Sequence, residues 1–490
     1  MFFATSKKTC CNKLQLKQPA KTLFYLTNSS VFCEENTMAG SDFEKAKSYF
    51  LEGAFHAENE NWEQAEVAFK ASQNILPGRA STVSNLLGVL VAQKKYDEAW
   101  LLVNDALTLG GESSNTNTNV GILHYKSQNF EEALIYLNKA INLDSTNFAA
   151  FLNKGKVLME YNETSEALRY FDKTLELKPG NIDALMFKSF AYLVSGEHSL
   201  GWALYENRWK WLETANKRSY QQPYWLGNQD LAGKTIFLHW EQGLGDTIQF
   251  SRYVSTFSKL GCRVALEVQK TLYPIMKKLT GIDHIFTAGH QPPKFDYYCS
   301  IMSLPFALRK ITDTVPPPTT GLSVEDKKVS NWRTRLGPKI GKRVGIVWSG
   351  NPNHPGDRNR SLRLSQFIKA IPDGCDVISL QKTISEDDRA TFEKLNRVRH
   401  FGDELTDFSD TAALWKLMDI IVSVDTSVAH LAGTLGIPVC VLLPYKPDFR
   451  WMLKRNDSPW YPSMTLYRQG SDRSWLPVLA EINSRLKSSE

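Results

Sequence analysis

Residues 238–253 read LHWEQGLGDTIQFSRY and link two segments of different periodicity through Gly243 and Gly245. The preceding run 234–238 is short, apolar and rich in β-branched residues, which favours a buried strand. From 247 to 260 the apolar residues recur at helical spacing. We therefore predict a strand, a glycine turn and a helix. Asp246 then lies at the helix N-terminus, where the backbone N–H groups favour a negative charge.

Two interpretations of Asp246 follow from that position. In the first, the carboxylate only caps the helix, as an Asp after a glycine turn commonly does. In the second, it takes part in chemistry beyond the end of the strand. The two glycines do not indicate a dinucleotide site, because the third glycine of that fingerprint is absent and Ile248 stands in its place.

Composition is typical of a globular chain of about two to four domains. The 490 residues are 42% hydrophobic, and no run approaches the roughly 20 apolar residues needed to span a bilayer. The net charge of +6 is spread along the chain without a basic stripe, so we expect no nucleic-acid partner. Membrane contact, if it occurs, is expected to be peripheral.

The seven cysteines form no disulfide framework and show no metal-ligand spacing. Three lie in residues 1–40 and four are scattered singly, which is typical of a reduced compartment. We predict a cytoplasmic protein, either free or at the inner face of the membrane, with no metal site. Residues 1–40 lack periodicity, and we expect a disordered leader or a wrongly assigned start, with Met38 as an alternative first residue.

Small residues recur with a period of 34 in the following region. They are Ala65, Ala99, Ala133, Ala167 and Gly201. This period is that of tetratricopeptide repeats, in which paired helices stack on their neighbours to bury a shared core. We predict an α-solenoid of about five repeats over 41–215. Such arrays commonly offer a concave surface to a partner protein, and a purely supporting role is the alternative.

Beyond the repeats, strand and helix patterns alternate, which predicts parallel sheets flanked by helices. The predicted strands cover 236–238, 263–268, 284–286, 295–298, 343–348, 376–380, 420–424 and 438–443. A proline-rich, polar run from 316 to about 335 is expected to be a connector. We therefore divide this part into two α/β halves, 216–335 and 336–490.

Polar side chains follow several strands of the second half, at the edge where ligands collect in such sheets. They are Arg360, Gln381, Lys382, Asp425, Thr426, Ser427 and His430. A helix N-terminus beside hydroxyl groups is an anion site, and Arg360 and Lys382 carry the charge opposite to a diphosphate. Each residue alone has a structural explanation as a cap, a packed histidine or a solvated charge. Their convergence at one edge favours a site.

Two motifs resemble a known family. Residues 243–248 (GLGDTI) and 425–439 (DTSVAHLAGTLGIPV) are together similar to glycosyltransferase family 9, the lipopolysaccharide heptosyltransferases. The similarity extends over about 230–485, and it is greatest to bacterial proteins that join tetratricopeptide repeats to such a domain. It implies a GT-B fold of two Rossmann-like domains and inversion at the anomeric carbon without a metal. The nucleotide-sugar is a donor substrate, so no cofactor is expected.

The resemblance also implies roles for individual residues. Asp246 matches the proposed general base, which removes a proton from the acceptor hydroxyl. Thr426, Ser427 and His430 match residues around the donor diphosphate, where they stabilise charge on the leaving group. Gly245 and Asp425 are counted with them as donor-binding residues. Arg360 matches a phosphate-binding lysine by position and charge. Gln381 and Lys382 are placed near the nucleotide.

Several alternatives stay open at this stage. Ser427 stands where the family usually has glycine and the first half is short, so the nucleotide and the sugar are not indicated. The repeats are similar to those of O-linked N-acetylglucosamine transferases, which leaves both a glycan and a protein as acceptor classes. The competing function is a non-catalytic repeat scaffold with a degenerate sugar-nucleotide-binding domain, because fold alone does not decide activity.

Overall fold

A computed structural model describes residues 40–211, 218–310, 315–318, 320–322, 324–354 and 356–488. The leader expected over 1–40 therefore lies outside the described residues, except for Gly40. Two compact units are present. The repeat unit contains 40–211 and the segment Lys446–Lys454. The α/β unit contains the described parts of Arg218–Tyr445 and Arg455–Glu490.

The repeat unit is built from consecutive helix pairs with the predicted period. Its helices are α1 (Ser41–Glu58), α2 (Trp62–Ile75), α3 (Ala80–Ala92), α4 (Tyr96–Leu101), α5 (Val103–Gly110), α6 (Ser114–Lys126), α7 (Phe130–Leu143), α8 (Phe148–Glu160), α9 (Thr164–Leu177), α10 (Ile182–Ser195), α11 (His198–Tyr205) and α12 (Arg208–Trp211). In the second repeat, α4 and α5 share the place of one helix, interrupted at Leu102. The 34-residue helix-turn-helix period makes this region a tetratricopeptide-repeat array.

Glycines on the first helix of three repeats explain how tightly the pairs pack. A Cβ atom on Gly53 would lie 2.8 Å from the Phe69 ring, and one on Gly155 would lie 2.5 Å from the Phe171 ring. Gly121 has the same relation to its own repeat's second helix. The Phe69, Leu137 and Phe171 side chains therefore occupy space that a larger residue at the glycine would fill, and the cores of these three repeats depend on this fit.

The segment Lys446–Lys454 packs against the last repeats of the array. The Phe449 ring stacks on Phe190 with centroids 6.0 Å apart, and Trp202 meets it edge-on at 5.7 Å. The Leu453 N–H donates to the Val194 carbonyl at 3.1 Å. These contacts make the segment part of the repeat unit, although it lies far along the chain from the repeats.

The α/β unit contains two parallel sheets. Its strands are β1 (Thr235–His239), β2 (Arg263–Val268), β3 (His284–Thr287), β4 (Tyr297–Ser300), β5 (Arg343–Val347), β6 (Asp376–Ser379), β7 (Val398–His400), β8 (Ile420–Val424), β9 (Val439–Leu443) and β10 (Met464–Arg468). The first sheet has the order β3-β2-β1-β4 and the second has the order β10-β9-β8-β5-β6-β7. Every pairing between these strands is parallel. The strand–helix alternation thus gives an α/β architecture, as predicted.

Helices connect and cover these strands. They are α13 (Leu244–Phe250), α14 (Tyr273–Met276), α15 (Leu304–Ala307), α16 (Asp326–Leu336), α17 (Asp357–Arg360), α18 (Leu364–Phe367), α19 (Glu386–Lys394), α20 (Phe408–Trp415), α21 (Ser427–Thr434) and α22 (Leu476–Lys487). Among the described residues, no helix is both long and apolar enough to cross a bilayer.

Three sequence-based assignments in this unit were incomplete. The helix predicted over 247–260 begins at Leu244 and continues from Ser251 as a 3₁₀ helix to Leu260. The polar run assigned to a connector contains α16, whose Trp332 and Leu336 are buried. Strands β7 and β10 were not predicted, and β7 has only three residues.

Candidate functional site

The turn between β1 and α13 places Asp246 in the first helical turn. Gly243 is the N-cap residue, and its N–H donates to Asp246 Oδ2 at 2.7 Å. The carboxylate therefore satisfies one backbone donor that the helix leaves unpaired. Asp246 is half-buried, and it lies just past the carboxyl end of a fully buried strand. The predicted strand, turn and helix are confirmed.

The second motif forms the start of α21, directly after β8. Thr426 is the N-cap residue and has an extended backbone conformation. Its hydroxyl oxygen Oγ1 is buried and has no hydrogen-bond partner within the described parts of the chain. A buried hydroxyl without a partner loses its hydration, which costs about 1–3 kcal/mol. A polar ligand at this helix N-terminus would remove that cost.

Direct packing brings the two motifs together. Helix α13 lies against α21, and a Cβ atom on Gly245 would be 2.9 Å from His430 Cδ2 and 3.4 Å from Ser427 Cα. Real Cβ atoms essentially never approach as closely as the first of these distances. Glycine at position 245 therefore permits this close approach. Asp246 is the next residue along the chain after this contact with the His430 imidazole.

His430 is held in a defined orientation by polar neighbours. It is buried, and its Nδ1 lies 3.0 Å from the Tyr461 hydroxyl. Its Nε2 lies 4.0 Å from Asp425 Oδ1. The Nδ1 atom thus faces a hydroxyl and the Nε2 atom faces a carboxylate, so the two ring nitrogens are distinct.

Strand register explains why distant residues meet at one edge of the second sheet. Val347 pairs with Ser423, and Ile346 pairs with Ser379. Because parallel strands end at the same edge, the residues just beyond these pairs are neighbours. Ser349, Gln381 and Asp425 each lie two residues beyond a paired position.

Arg360 is the last residue of the short helix α17, which follows β5, and it is fixed by a neighbouring acid. Its Nε donates to Asp357 Oδ1 at 3.1 Å, and the side chain is 17% exposed. A Cβ atom on Gly350 would lie 2.3 Å from the same carboxylate oxygen and 2.7 Å from Arg360 Nη2. The guanidinium therefore packs directly against Gly350, and its ion pair with Asp357 orients its planar donor group.

Gln381 and Lys382 both make contacts within the protein. The Gln381 side chain accepts from the Ser349 N–H at 3.2 Å and donates to Ser349 Oγ at 2.9 Å. The ammonium group of Lys382 donates to the carbonyls of Gly402 and Leu405. These bonds tie β6 to the adjacent loops. Nucleotide contact by either residue stays a prediction.

Buried carboxylates lie at the carboxyl edge of the first sheet as well. Glu241 accepts from the Ser300 hydroxyl at 2.5 Å. Glu267 forms an ion pair with Arg218; burial raises the pKa of this carboxyl, and the guanidinium partly offsets the effect. Sequence reasoning missed these groups because carboxylates inside or next to strands carry no motif.

Sequence reasoning also missed the partners of two proposed site residues, Arg360 and His430. Asp357 stands three residues before Arg360, a spacing that does indicate an intrahelical pair. Tyr461 lies 31 residues from His430, and no local pattern connects them. Within the described residues, no group of three or more His, Cys, Asp or Glu side chains is arranged to hold a metal ion.

Comparisons with known proteins identify relatives of parts of the chain. No family model matches it. The protein FlbA of Caulobacter vibrioides is 25% identical over 325 residues, which are 60% of this chain and 53% of FlbA. The chain thus spans about half the length of this curated relative.

Solved structures resemble about a third of the chain. PilF of Pseudomonas aeruginosa is 22% identical, with a TM-score of 0.31, and the match covers 34% of this chain and 77% of PilF. YrrB, described as a TPR protein with an unusual peptide-binding site, is 20% identical with a TM-score of 0.26. That match covers 39% of this chain and 95% of YrrB.

Proposed function

We propose that the chain is an inverting, metal-independent glycosyltransferase. It moves a sugar from a nucleotide-sugar to a hydroxyl of a glycan or protein acceptor. In this proposal the two parallel sheets are the two Rossmann-like domains of a GT-B fold. The repeats recruit the acceptor or a partner protein.

The observation that carries the proposal is the contact between Gly245 and His430. It joins an acidic residue at the carboxyl edge of the first sheet to a helix N-terminus at the edge of the second sheet. Transfer between two substrates requires a base and a leaving-group site in one place, because proximity and orientation supply much of the rate. A binding scaffold has no such requirement.

Leaving-group stabilisation is assigned to the start of α21. The backbone N–H groups of this helix offer donors to an anionic diphosphate, as do His430 and the Thr426 hydroxyl, which has no hydrogen-bond partner among the described residues. Arg360, oriented by Asp357, adds a positive charge from the short helix α17. Donors that are positioned before the reaction stabilise the developing charge without further rearrangement.

Base catalysis is assigned to Asp246. The acceptor oxygen forms a bond to the anomeric carbon while its proton passes to the carboxylate. The bond from that carbon to the diphosphate breaks, and its electron pair leaves with the diphosphate. The cap bond at Oδ2 is compatible with this role, since an ionised carboxylate has about four lone-pair sites that can accept hydrogen bonds.

Substitution of Asp246 by asparagine separates catalysis from capping. The asparagine carbonyl accepts the Gly243 N–H as the carboxylate does, so the melting temperature is expected to change little. Asn is not a base, so transfer from the donor that binds the full-length chain should fall by about 10²- to 10⁴-fold. Donor affinity should persist.

A second function is favoured by the same cap bond. If Asp246 only caps α13, the chain is a repeat scaffold whose α/β unit has no transfer activity. Asp246→Asn and wild-type protein would then behave identically with every donor and acceptor offered. An Asp246→Ala variant serves as the control, because it removes both the acceptor and the base and should lower the melting temperature under either function.

A further inference from the structure

We propose that Tyr461 is a positioning residue for His430, and that Arg252 fixes Tyr461 in place. The inference deepens the proposed function, on which its ligand-binding part rests. Neither residue belongs to the two motifs, and each acts through another side chain.

The imidazole of His430 lies between Gly245 and Tyr461. Gly245 lies on one side, and the Tyr461 hydroxyl is 3.0 Å from Nδ1. The ring centroids of His430 and Tyr461 are 5.7 Å apart with planes inclined by 59°, so the contact is through the hydroxyl and not through stacking. Rotation of the imidazole would break this hydrogen bond.

A second glycine lets Tyr461 reach that position. A Cβ atom on Gly433 would lie 2.7 Å from Tyr461 Cγ and 2.9 Å from its Cβ. Gly433 is three residues after His430, so both lie on one face of α21. The tyrosine side chain therefore runs along this face of the helix, with its hydroxyl at the imidazole.

The direction of the hydrogen bond follows from the surrounding charge. Nε2 of His430 faces the Asp425 carboxylate at 4.0 Å, which favours a proton on Nε2. Nδ1 is then the acceptor and the Tyr461 hydroxyl is the donor. The Tyr461 hydroxyl and the Asp425 carboxylate therefore favour the same tautomer, with Nδ1 unprotonated and the proton on Nε2.

Arg252 joins Tyr461 to the helical segment that carries Asp246. Its Nη1 donates to the Trp460 carbonyl at 2.7 Å and to the Pro316 carbonyl at 3.2 Å. Its Nε donates to the Gln249 carbonyl at 2.8 Å. The guanidinium carbon lies 4.7 Å from the centroid of the Tyr461 ring. One side chain therefore connects the segment after β1, the connector and the loop before β10.

The cost of burying Arg252 is evidence that its position matters. The residue is 1% exposed, and in the part of the chain that the structure describes it forms no ion pair. Its Nη2 also lacks a hydrogen-bond partner there. An isolated buried cation is strongly disfavoured unless its surroundings compensate. Here carbonyl oxygens and the faces of the Trp460 and Tyr461 rings do so.

The first measurement uses wild-type, full-length protein labelled with ¹⁵N-histidine, and it needs no ligand. Loss of one signal pair in His430→Ala assigns the imidazole resonances. The inference requires an unprotonated Nδ1 and a protonated Nε2. A proton on Nδ1 would overturn it, whether or not a nucleotide binds.

The second measurement compares Tyr461→Phe, Arg252→Lys and the control Tyr467→Phe, a tyrosine of β10 in the same unit. Titration with UDP, GDP, ADP, CDP and dTDP identifies the nucleotide that wild-type protein binds. Loss of one positioning hydrogen bond should weaken that affinity by about 3- to 10-fold in Tyr461→Phe. Arg252→Lys should show a similar loss and the control none.

The outcomes separate this inference from the function on which it rests. Equal nucleotide affinity in Tyr461→Phe and wild-type protein, with unchanged imidazole signals, would overturn the positioning role and leave the glycosyltransferase proposal intact. Absence of binding by wild-type protein would count against the function. The imidazole signals alone would then decide the inference, because Tyr461→Phe must change the tautomer balance of His430.

Discussion

Replacing Gly245 by alanine tests the contact on which the candidate site depends. The new methyl group would lie 2.9 Å from His430 Cδ2, inside the closest approach that real Cβ atoms show. Overpacking of this kind costs about 1–3 kcal/mol. Alanine is favoured over glycine in a helix by up to about 1 kcal/mol, but position 245 is in the first turn, so less is gained.

The clash is therefore the larger effect, and we expect a net loss of about 1–2 kcal/mol in the stability of the α/β unit. For a unit of this size the loss corresponds to a fall of roughly 2–6 °C in its melting temperature. Differential scanning calorimetry on the full chain measures it. A control without a clash is Gly40→Ala in the repeat unit, where a Cβ atom meets nothing within 4 Å, and it should leave the transition of the α/β unit unchanged.

A double-mutant cycle assigns the effect to His430. Removal of the imidazole in Gly245→Ala/His430→Ala vacates the space that the methyl group needs, so the cost of the glycine substitution should fall by about 1 kcal/mol in that background. The remaining neighbour, Ser427 Cα at 3.4 Å, is an ordinary contact. A stabilised Gly245→Ala variant, or costs that simply add, would refute the close approach of the two motifs.

Three further substitutions probe other parts of the account. Arg360→Gln should weaken nucleoside diphosphate binding by about 5- to 20-fold in calorimetric titration, whereas the exposed Arg363→Gln should not; equal affinities would remove Arg360 from the site. Phe449→Ala should speed amide exchange in α10 and α11 but not in α1, because repeats couple to their neighbours, and a uniform change would contradict this. Burial alone would raise the pKa of Glu66. Hydrogen bonds from two half-exposed lysines and a glutamine lower it by more, so the pKa falls from 4.5 to about 2. Because the folded pKa is below the ordinary value of 4.5, Glu66→Gln should lower the free energy of unfolding by roughly 1–2 kcal/mol at pH 7, and by progressively less as the pH falls from 4.5 towards 2. Amide exchange in α2 measures this loss. A loss that does not depend on pH would exclude the ion pairs as its origin.

Local patterns were sufficient for the elements that form the candidate site. The run before Gly243 is apolar and β-branched and became β1, and the glycine turn placed Asp246 at a helix start. The 34-residue spacing of small residues predicted the helix pairs, because each pair needs a close approach at one position. The strand–turn–helix pattern and the 34-residue spacing both reflect constraints that local structure places on residue type.

Local patterns did not predict contacts between residues that are far apart in sequence. Tyr461 reaches His430 across a strand, and Phe449 returns to the repeats more than 200 residues after they end. The Lys382 ammonium contacts backbone carbonyls, and carbonyls carry no sequence signal. The helix α16 was within reach, since Val329, Trp332 and Leu336 recur at helical spacing, but the charged residues between them suggested a connector.

The central claim is that the start of α21 holds the diphosphate of a nucleotide-sugar. Calorimetric titration of the full chain with UDP, GDP, ADP, CDP and dTDP, first without metal and then with magnesium, tests it most directly. The account predicts that one nucleotide binds without metal, that His430→Ala weakens its binding, and that the exposed His290→Ala does not. Absence of binding by any nucleotide to folded wild-type protein, or equal binding by His430→Ala, would contradict the claim.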